Sequence, residues 1–180
     1  IMADGILKVG QIQTSSGTGT ITIGQSGETI NVAGTSGTGF GKVLQIVQGT
    51  TSSETRNSTN TLADTTLTAD ITPASTSNKV LVLINQAGCD KSSANSGNQM
   101  VLKLLRDSSA ILTFANNAGY TNSTLTNSFG SVGCIYLDSP SSTSSLTYKT
   151  QFSSGNNTAA VGVQGTGGET STITLMEIAG

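Results

Sequence analysis

Val80-Leu81-Val82-Leu83-Ile84 is the longest unbroken apolar run in the 180-residue sequence. It is far shorter than the roughly 20 apolar residues that a helix needs to cross a bilayer. Read as a strand, it is apolar on both faces. An antiparallel sandwich normally leaves one face of each sheet wet, so an apolar second face points to a subunit contact. The other reading is an inner strand covered by a loop.

Outward from this run, strand candidates recur at 42–48, 62–71, 79–87, 99–106, 110–115, 130–137, 145–152, 158–163 and 171–179. Clusters such as Thr51-Ser52-Ser53, Ser92-Ser93-Ala94-Asn95-Ser96-Gly97 and Asp138-Ser139-Pro140-Ser141-Ser142 separate them as turns. Met100-Val101-Leu102-Lys103-Leu104-Leu105-Arg106 has helical propensity, but its flanks lack cap signals, and it reads as a strand. Short strands at this spacing, with no ten-residue helical pattern, predict an all-β antiparallel sandwich or barrel.

Composition agrees. There are 29 Thr, 25 Ser and 22 Gly, with charged residues at 10% and aromatics at 4%. Disordered chains usually pair low hydrophobicity with high net charge, whereas the formal charge here is -2. So few large side chains give each copy a modest core, and self-association is the natural remedy.

Residues 5–48 carry the same idea further. Gly5-Ile6-Leu7-Lys8-Val9-Gly10-Gln11-Ile12-Gln13 is followed by Thr20-Ile21-Thr22-Ile23 and Thr29-Ile30-Asn31-Val32, each a short alternating strand with two apolar residues on one face. A single ribbon of that kind is marginal in water. Several copies packed about an axis would bury Ile6, Leu7, Val9, Ile12, Ile21, Ile23, Ile30 and Val32 against one another or against a docking partner. The glycine-dense stretch Ala33-Gly34-Thr35-Ser36-Gly37-Thr38-Gly39-Phe40-Gly41 reads as a hinge. The expected division is an arm at 1–41 and a β-sandwich body at 42–180.

Several function classes lack their chemistry. With no histidine and two cysteines, Cys89 and Cys134, neither a zinc site nor a Ser-His-Asp or Cys-His nucleophile can be built in its usual form. The two cysteines read as small half-buried residues in preference to a disulfide. A phosphate-binding loop before Lys42 would need glycine at the position of Ser36 and a hydroxyl at that of Val43.

Eight basic residues scattered singly make no stripe for nucleic acid. The start, Ile1-Met2-Ala3-Asp4-Gly5, has an acid where a signal peptide carries basic residues, so export is not expected. The acids Asp4, Glu28, Glu54, Asp64, Asp70, Asp90, Asp107, Asp138, Glu169 and Glu177 read as solvated turn and edge residues; a glycosidase-like carboxylate pair is the rival reading. Asn57-Ser58-Thr59, Asn122-Ser123-Thr124 and Asn156-Asn157-Thr158 fit the glycosylation pattern but read as unmodified chance matches. No catalytic residue, metal or cofactor is expected.

The opening Met2-Ala3-Asp4-Gly5-Ile6-Leu7-Lys8-Val9-Gly10-Gln11-Ile12-Gln13-Thr14-Ser15-Ser16-Gly17, with Gly19-Thr20-Ile21-Thr22-Ile23-Gly24, resembles the start of fibre-like virion proteins of marine short-tailed bacteriophages, those infecting cyanobacteria and related ocean hosts. Asp70-Ile71-Thr72-Pro73, Ser77-Asn78-Lys79-Val80-Leu81-Val82, Leu137-Asp138-Ser139-Pro140, Thr147-Tyr148-Lys149 and Ile173-Thr174-Leu175-Met176-Glu177-Ile178-Ala179 resemble a β-sandwich module of such proteins. The resemblance implies a homotrimeric appendage on the virion surface, a tail fibre, head fibre or capsid-decorating protein. Its arm would dock onto other virion proteins, and its jelly-roll-like body would point outward. The alternative is a module that binds host glycans through loops at 89–98, 116–128 and 153–158. Neither reading involves nucleic acid or membrane.

Overall fold

The computed structural model describes residues 42–165 and 168–180. The expected arm, and with it Ile6, Leu7, Val9, Ile12, Ile21, Ile23, Ile30 and Val32, lies outside the described residues, as does the hinge.

Among the described residues ten strands run in chain order: β1 Val43–Thr51, β2 Thr55–Asn57, β3 Ala63–Ile71, β4 Lys79–Lys91, β5 Met100–Arg106, β6 Ser109–Ala118, β7 Asn127–Asp138, β8 Leu146–Ser154, β9 Val161–Val163 and β10 Ser171–Ile178. The described residues are all-β, and every pairing is antiparallel. One sheet has the order β1-β10-β4-β9-β2, with β7 on the far side of β4, and the other has the order β3-β8-β5-β6.

The thirteen-residue β4 is the spine of the first sheet. Residues 79–85 pair with β10, and Asp90 and Lys91 pair with β9, while β7 follows β4 from Val80 to Lys91. The change of neighbour occurs at Gly88, whose φ is +57° and where an added Cβ would lie 2.5 Å from the Gly165 nitrogen. Only glycine fits that crossing.

Alternation sets the core. Along β3 the inward residues are Ile71, Ala69, Leu67 and Thr65, along β4 Val80, Val82, Ile84 and Gln86, and along β8 Leu146, Tyr148, Thr150 and Phe152. In each strand the apolar series meets a polar residue at the same level. One apolar cluster gathers Leu67, Val82, Ile84, Leu104, Tyr148 and Ile173; a second gathers Cys89, Met100, Leu102, Phe152, Val161 and Val163.

Between them runs a hydrogen-bonded belt. Thr65 Oγ1 meets Thr150 Oγ1 at 2.5 Å, Thr150 Oγ1 donates to Gln86 Oε1 (2.8 Å), and Gln86 Nε2 donates to Ser171 Oγ (3.1 Å). The Ala87 N–H also donates to Ser171 Oγ (2.9 Å). The Gln164 amide closes the belt: turned so that all its atoms are paired, it accepts from Ser171 Oγ (2.7 Å) and donates to the Ser53 carbonyl (3.1 Å). A fully satisfied network of this kind specifies register at little net cost, because each inward polar group finds its partner only in one alignment of the strands.

Two carboxylates correct the expectation of solvated acids. Asp138 at the end of β7 accepts from Tyr148 Oη on β8 (2.6 Å) and from Arg106 Nη1 on β5 (2.7 Å), tying the sheets together. Burial and the neighbouring Asp138 carboxylate both push the Tyr148 phenol up. Glu177, 1% exposed on β10, accepts from Gln45 Nε2 (2.6 Å), Asn78 Nδ2 (2.5 Å) and the Ala74 N–H (2.7 Å).

Desolvation works to raise the Glu177 pKa, but these three donors outweigh it and hold it below its ordinary 4.5. A depressed folded-state pKa means that the contribution to stability is complete above the unfolded value and is lost as pH falls through the folded one. Thermal melts between about pH 6 and pH 3 are expected to show the midpoint falling on the acid side, with a shallower fall in Glu177→Gln. An identical acid slope in the variant would remove Glu177 from this role.

The cysteines are both free. Cys134 is partly buried opposite Ile84, while Cys89 is fully buried opposite Gly130, so the half-buried expectation holds for one and is corrected for the other. Burial pushes the Cys89 thiol up to about 12.

Candidate assembly face and loop-end cleft

The two sheets differ on their outer faces. On the second sheet that face carries Asp64, Thr68, Asp70, Lys149 and Gln151. Lys149 Nζ lies 3.0 Å from Asp64 Oδ1, Gln151 Nε2 donates to the same oxygen (2.7 Å), and Thr147 Oγ1 donates to Asp70 (2.6 Å). It is the polar, solvated surface that an antiparallel sandwich ordinarily presents.

The first sheet is apolar outside as well as inside. Directly opposed residues of antiparallel strands share a face. The register places Ile46 against Met176, Met176 against Leu81, and Leu81 against Leu137, one apolar row across four strands. The next row is Gln48, Thr174, Leu83 and Ile135, and on the other flank Val43 stands opposite Ile178. Ile135 is 73% exposed, Ile46 60% and Leu137 48%. The second face of Val80–Ile84 is therefore left open by the described residues, not covered by one of their loops. Scattered exposed aliphatics are ordinary, but a contiguous block of them marks a contact surface.

At one end of the sandwich an open cleft of about 600 Å³ is lined by Asp90 and Lys91 at the end of β4, Ser92 and Ser93 in the loop that follows, and Asn127 and Ser128 at the start of β7, with Arg56 at its side. The three loops singled out in the sequence for sugar binding meet around this end. The Ala160 carbonyl accepts from the Ser92 N–H (3.0 Å), the Ser93 N–H (3.1 Å) and Asn98 Nδ2 (2.9 Å). Asn156 Nδ2 donates to Asn95 Oδ1 (3.2 Å). Lys91, 1% exposed, donates through Nζ to Thr121 Oγ1 (3.0 Å) and to the Ser123 carbonyl (2.6 Å), holding the third loop.

Arg56 lies between two carboxylates, with Nε 2.5 Å from Glu54 Oε1 and Nη1 3.0 Å from Asp90 Oδ1. Desolvation works to lower its pKa, but the bonds to Asp90 and Glu54 outweigh it and raise it.

No protein-family model and no curated protein matches the chain.

Asn57, Asn156 and Asp107 have structural tasks, while Asp4 and Glu28 lie outside the described residues. Asn57 donates to the carbonyls of Thr61 (2.8 Å) and Phe152 (3.0 Å) and accepts from the Thr59 N–H (2.9 Å) and hydroxyl (2.9 Å). Asn156 accepts from the Thr158 N–H (3.1 Å) and hydroxyl (2.8 Å) in the same way. The spacing that resembles a glycosylation site is here that of a side chain closing a turn on the residue two places on. Asp107 accepts from the Thr147 N–H (2.9 Å). Among the described residues no group of three acids or cysteines stands close enough to hold a metal.

Arg56 was not legible as part of the cleft. It arrives there because β2, a three-residue strand, pairs with β9. The available signal was Gly162, where an added Cβ would stand 2.8 Å from Arg56 Nη1 and 2.9 Å from Asp90 Oδ1.

Proposed function

We propose that the chain is a non-enzymatic structural protein of a bacteriophage particle, a homotrimeric surface appendage with a jelly-roll-like body, anchored through residues 1–41. The outer face of the first sheet carries this reading. Its apolar rows hold one charged neighbour, Lys79 beside Ile178, so copies can bring this surface together without a clash of many like charges. Three chains turning it toward a common axis would bury what one chain leaves in water, and closed symmetry keeps the assembly finite.

The strand order also supports it. Four long strands in the order β1-β10-β4-β7 face four in the order β3-β8-β5-β6, the arrangement that two interlocked Greek keys produce, and jelly rolls of this kind recur in viral capsid and lectin domains. The carboxylates favour a structural role as well: Glu54, Asp64, Asp90 and Asp138 are held in ion pairs, and Glu177 is held by its three donors.

Deleting residues 2–33 tests the anchoring role. The expected product keeps the β circular dichroism of the parent but is missing from purified particles. Incorporation at the parental level would overturn it.

A further inference from the structure

We infer that the loop-end cleft is a binding site for an uncharged, polyhydroxylated ligand, a saccharide. The inference is independent of how the copies assemble, since it uses the opposite kind of surface, polar and concave.

Three observations converge on it. The first concerns hydrogen bonds left unmade. Ser92 Oγ and Asn127 Oδ1 are, among the described residues, the two buried side-chain polar atoms without any partner, and both residues line this one cleft. Native proteins pair nearly all such atoms, and an orphan marks a place where a further group belongs. Ser92 and Asn127 are themselves only partly buried, so the orphaned atoms lie at the edge of the open space.

The second observation is charge. The guanidinium of Arg56 is matched by Glu54 and Asp90, and the Lys91 ammonium is engaged by Thr121 Oγ1 and the Ser123 carbonyl. A phosphate or sulfate would find its cations already engaged, and a metal ion would find its carboxylate neutralised. What remains on offer is hydroxyl and amide: Ser92, Ser93, Asn127 and Ser128. Such groups exchange hydrogen bonds with a ligand that both donates and accepts, as sugar hydroxyls do.

The third is that the site is built and of the right size. Its walls are fastened by the three bonds to the Ala160 carbonyl and by the two from Lys91, so little order need be gained on binding. The cleft, about 600 Å³, falls within the range of small-molecule sites.

The test uses the full-length protein on an array of neutral and acidic oligosaccharides, followed by calorimetric titration of the best neutral probe into the parent, Ser92→Ala and Asn127→Ala. Expected is binding to a neutral oligosaccharide that each substitution weakens about tenfold, the loss of one hydrogen bond. Raising salt to about 1 M should leave the affinity unchanged, because no ion pair is formed. The variants should keep the parental mass in solution and melting midpoint, which separates loss of this site from failure of assembly. The inference is overturned if no oligosaccharide binds, if both variants bind as the parent does, or if only acidic glycans bind and salt abolishes it.

Discussion

Replacing Ile135 with aspartate is expected to turn the proposed trimer into a folded monomer. In the single chain Ile135 is 73% exposed on β7, so the aspartate meets water and the fold loses little. In the proposed trimer the same position, opposite Leu83 and next to the row Ile46-Met176-Leu81-Leu137, would lie in a dehydrated apolar contact. An unpaired carboxylate there costs several kcal/mol, and it recurs in every copy, so the association equilibrium should shift by orders of magnitude. Light scattering should report one chain mass for the variant, with the β circular dichroism of the parent. Thr68→Asp, on the wet outer face of the second sheet, is the control and should leave the mass unchanged. An Ile135→Asp protein that stays trimeric would show that this face is not the contact.

The second large effect lies in the polar belt. Gln86→Ala removes the acceptor of Thr150 Oγ1 and a donor to Ser171 Oγ, both fully buried, and leaves a gap between the two apolar clusters. Thr150 Oγ1 keeps Thr65 and Ser171 Oγ keeps the Ala87 N–H and Gln164, so each loses one bond of its set, about 0.5–1.5 kcal/mol apiece, and the cavity adds to that. A total of about 3 kcal/mol, on the order of 10 °C in Tm at fixed protein concentration, is expected. The neighbouring Asn85→Ala, on the exposed side of the same strand, should change Tm little. Equal, small shifts in both variants would mean that the belt does not hold the sheets in register.

Much of this architecture could be read in advance from alternation. The runs at 79–87, 62–71 and 171–179 became β4, β3 and β10 within a few residues, because each buries one face of period two. Met100–Arg106 formed a strand against its helical propensity. Met100, Leu102 and Leu104 point inward at strand spacing, and β6 and β8 supply partners on both sides.

Other features depend on partners distant in sequence. β2 exists only because Thr55–Asn57 meets Val161–Val163, and nothing local in that polar stretch marks it as a strand. The belt was hidden by composition: in a chain this rich in Thr and Ser, an inward Thr65 or Thr150 looks like an outward one. Glu177 did carry a signal, standing in phase with Ile173 and Leu175, which are fully buried. The cleft was half legible. Its loops were marked by their Asn and Ser content, but their convergence follows from the register of β4 with β7 and β9, which fixes Lys91 and Asp90 beside Asn127, Ser128 and Gly162.

Sedimentation equilibrium of the unmodified protein at micromolar concentration bears most directly on the central claim, that the apolar outer face of the first sheet is shared between copies. A single species of three times the 18.1 kDa chain mass is the predicted result. A well-behaved monomer, with Ile135, Leu137 and Ile46 freely accessible to solvent, would contradict it.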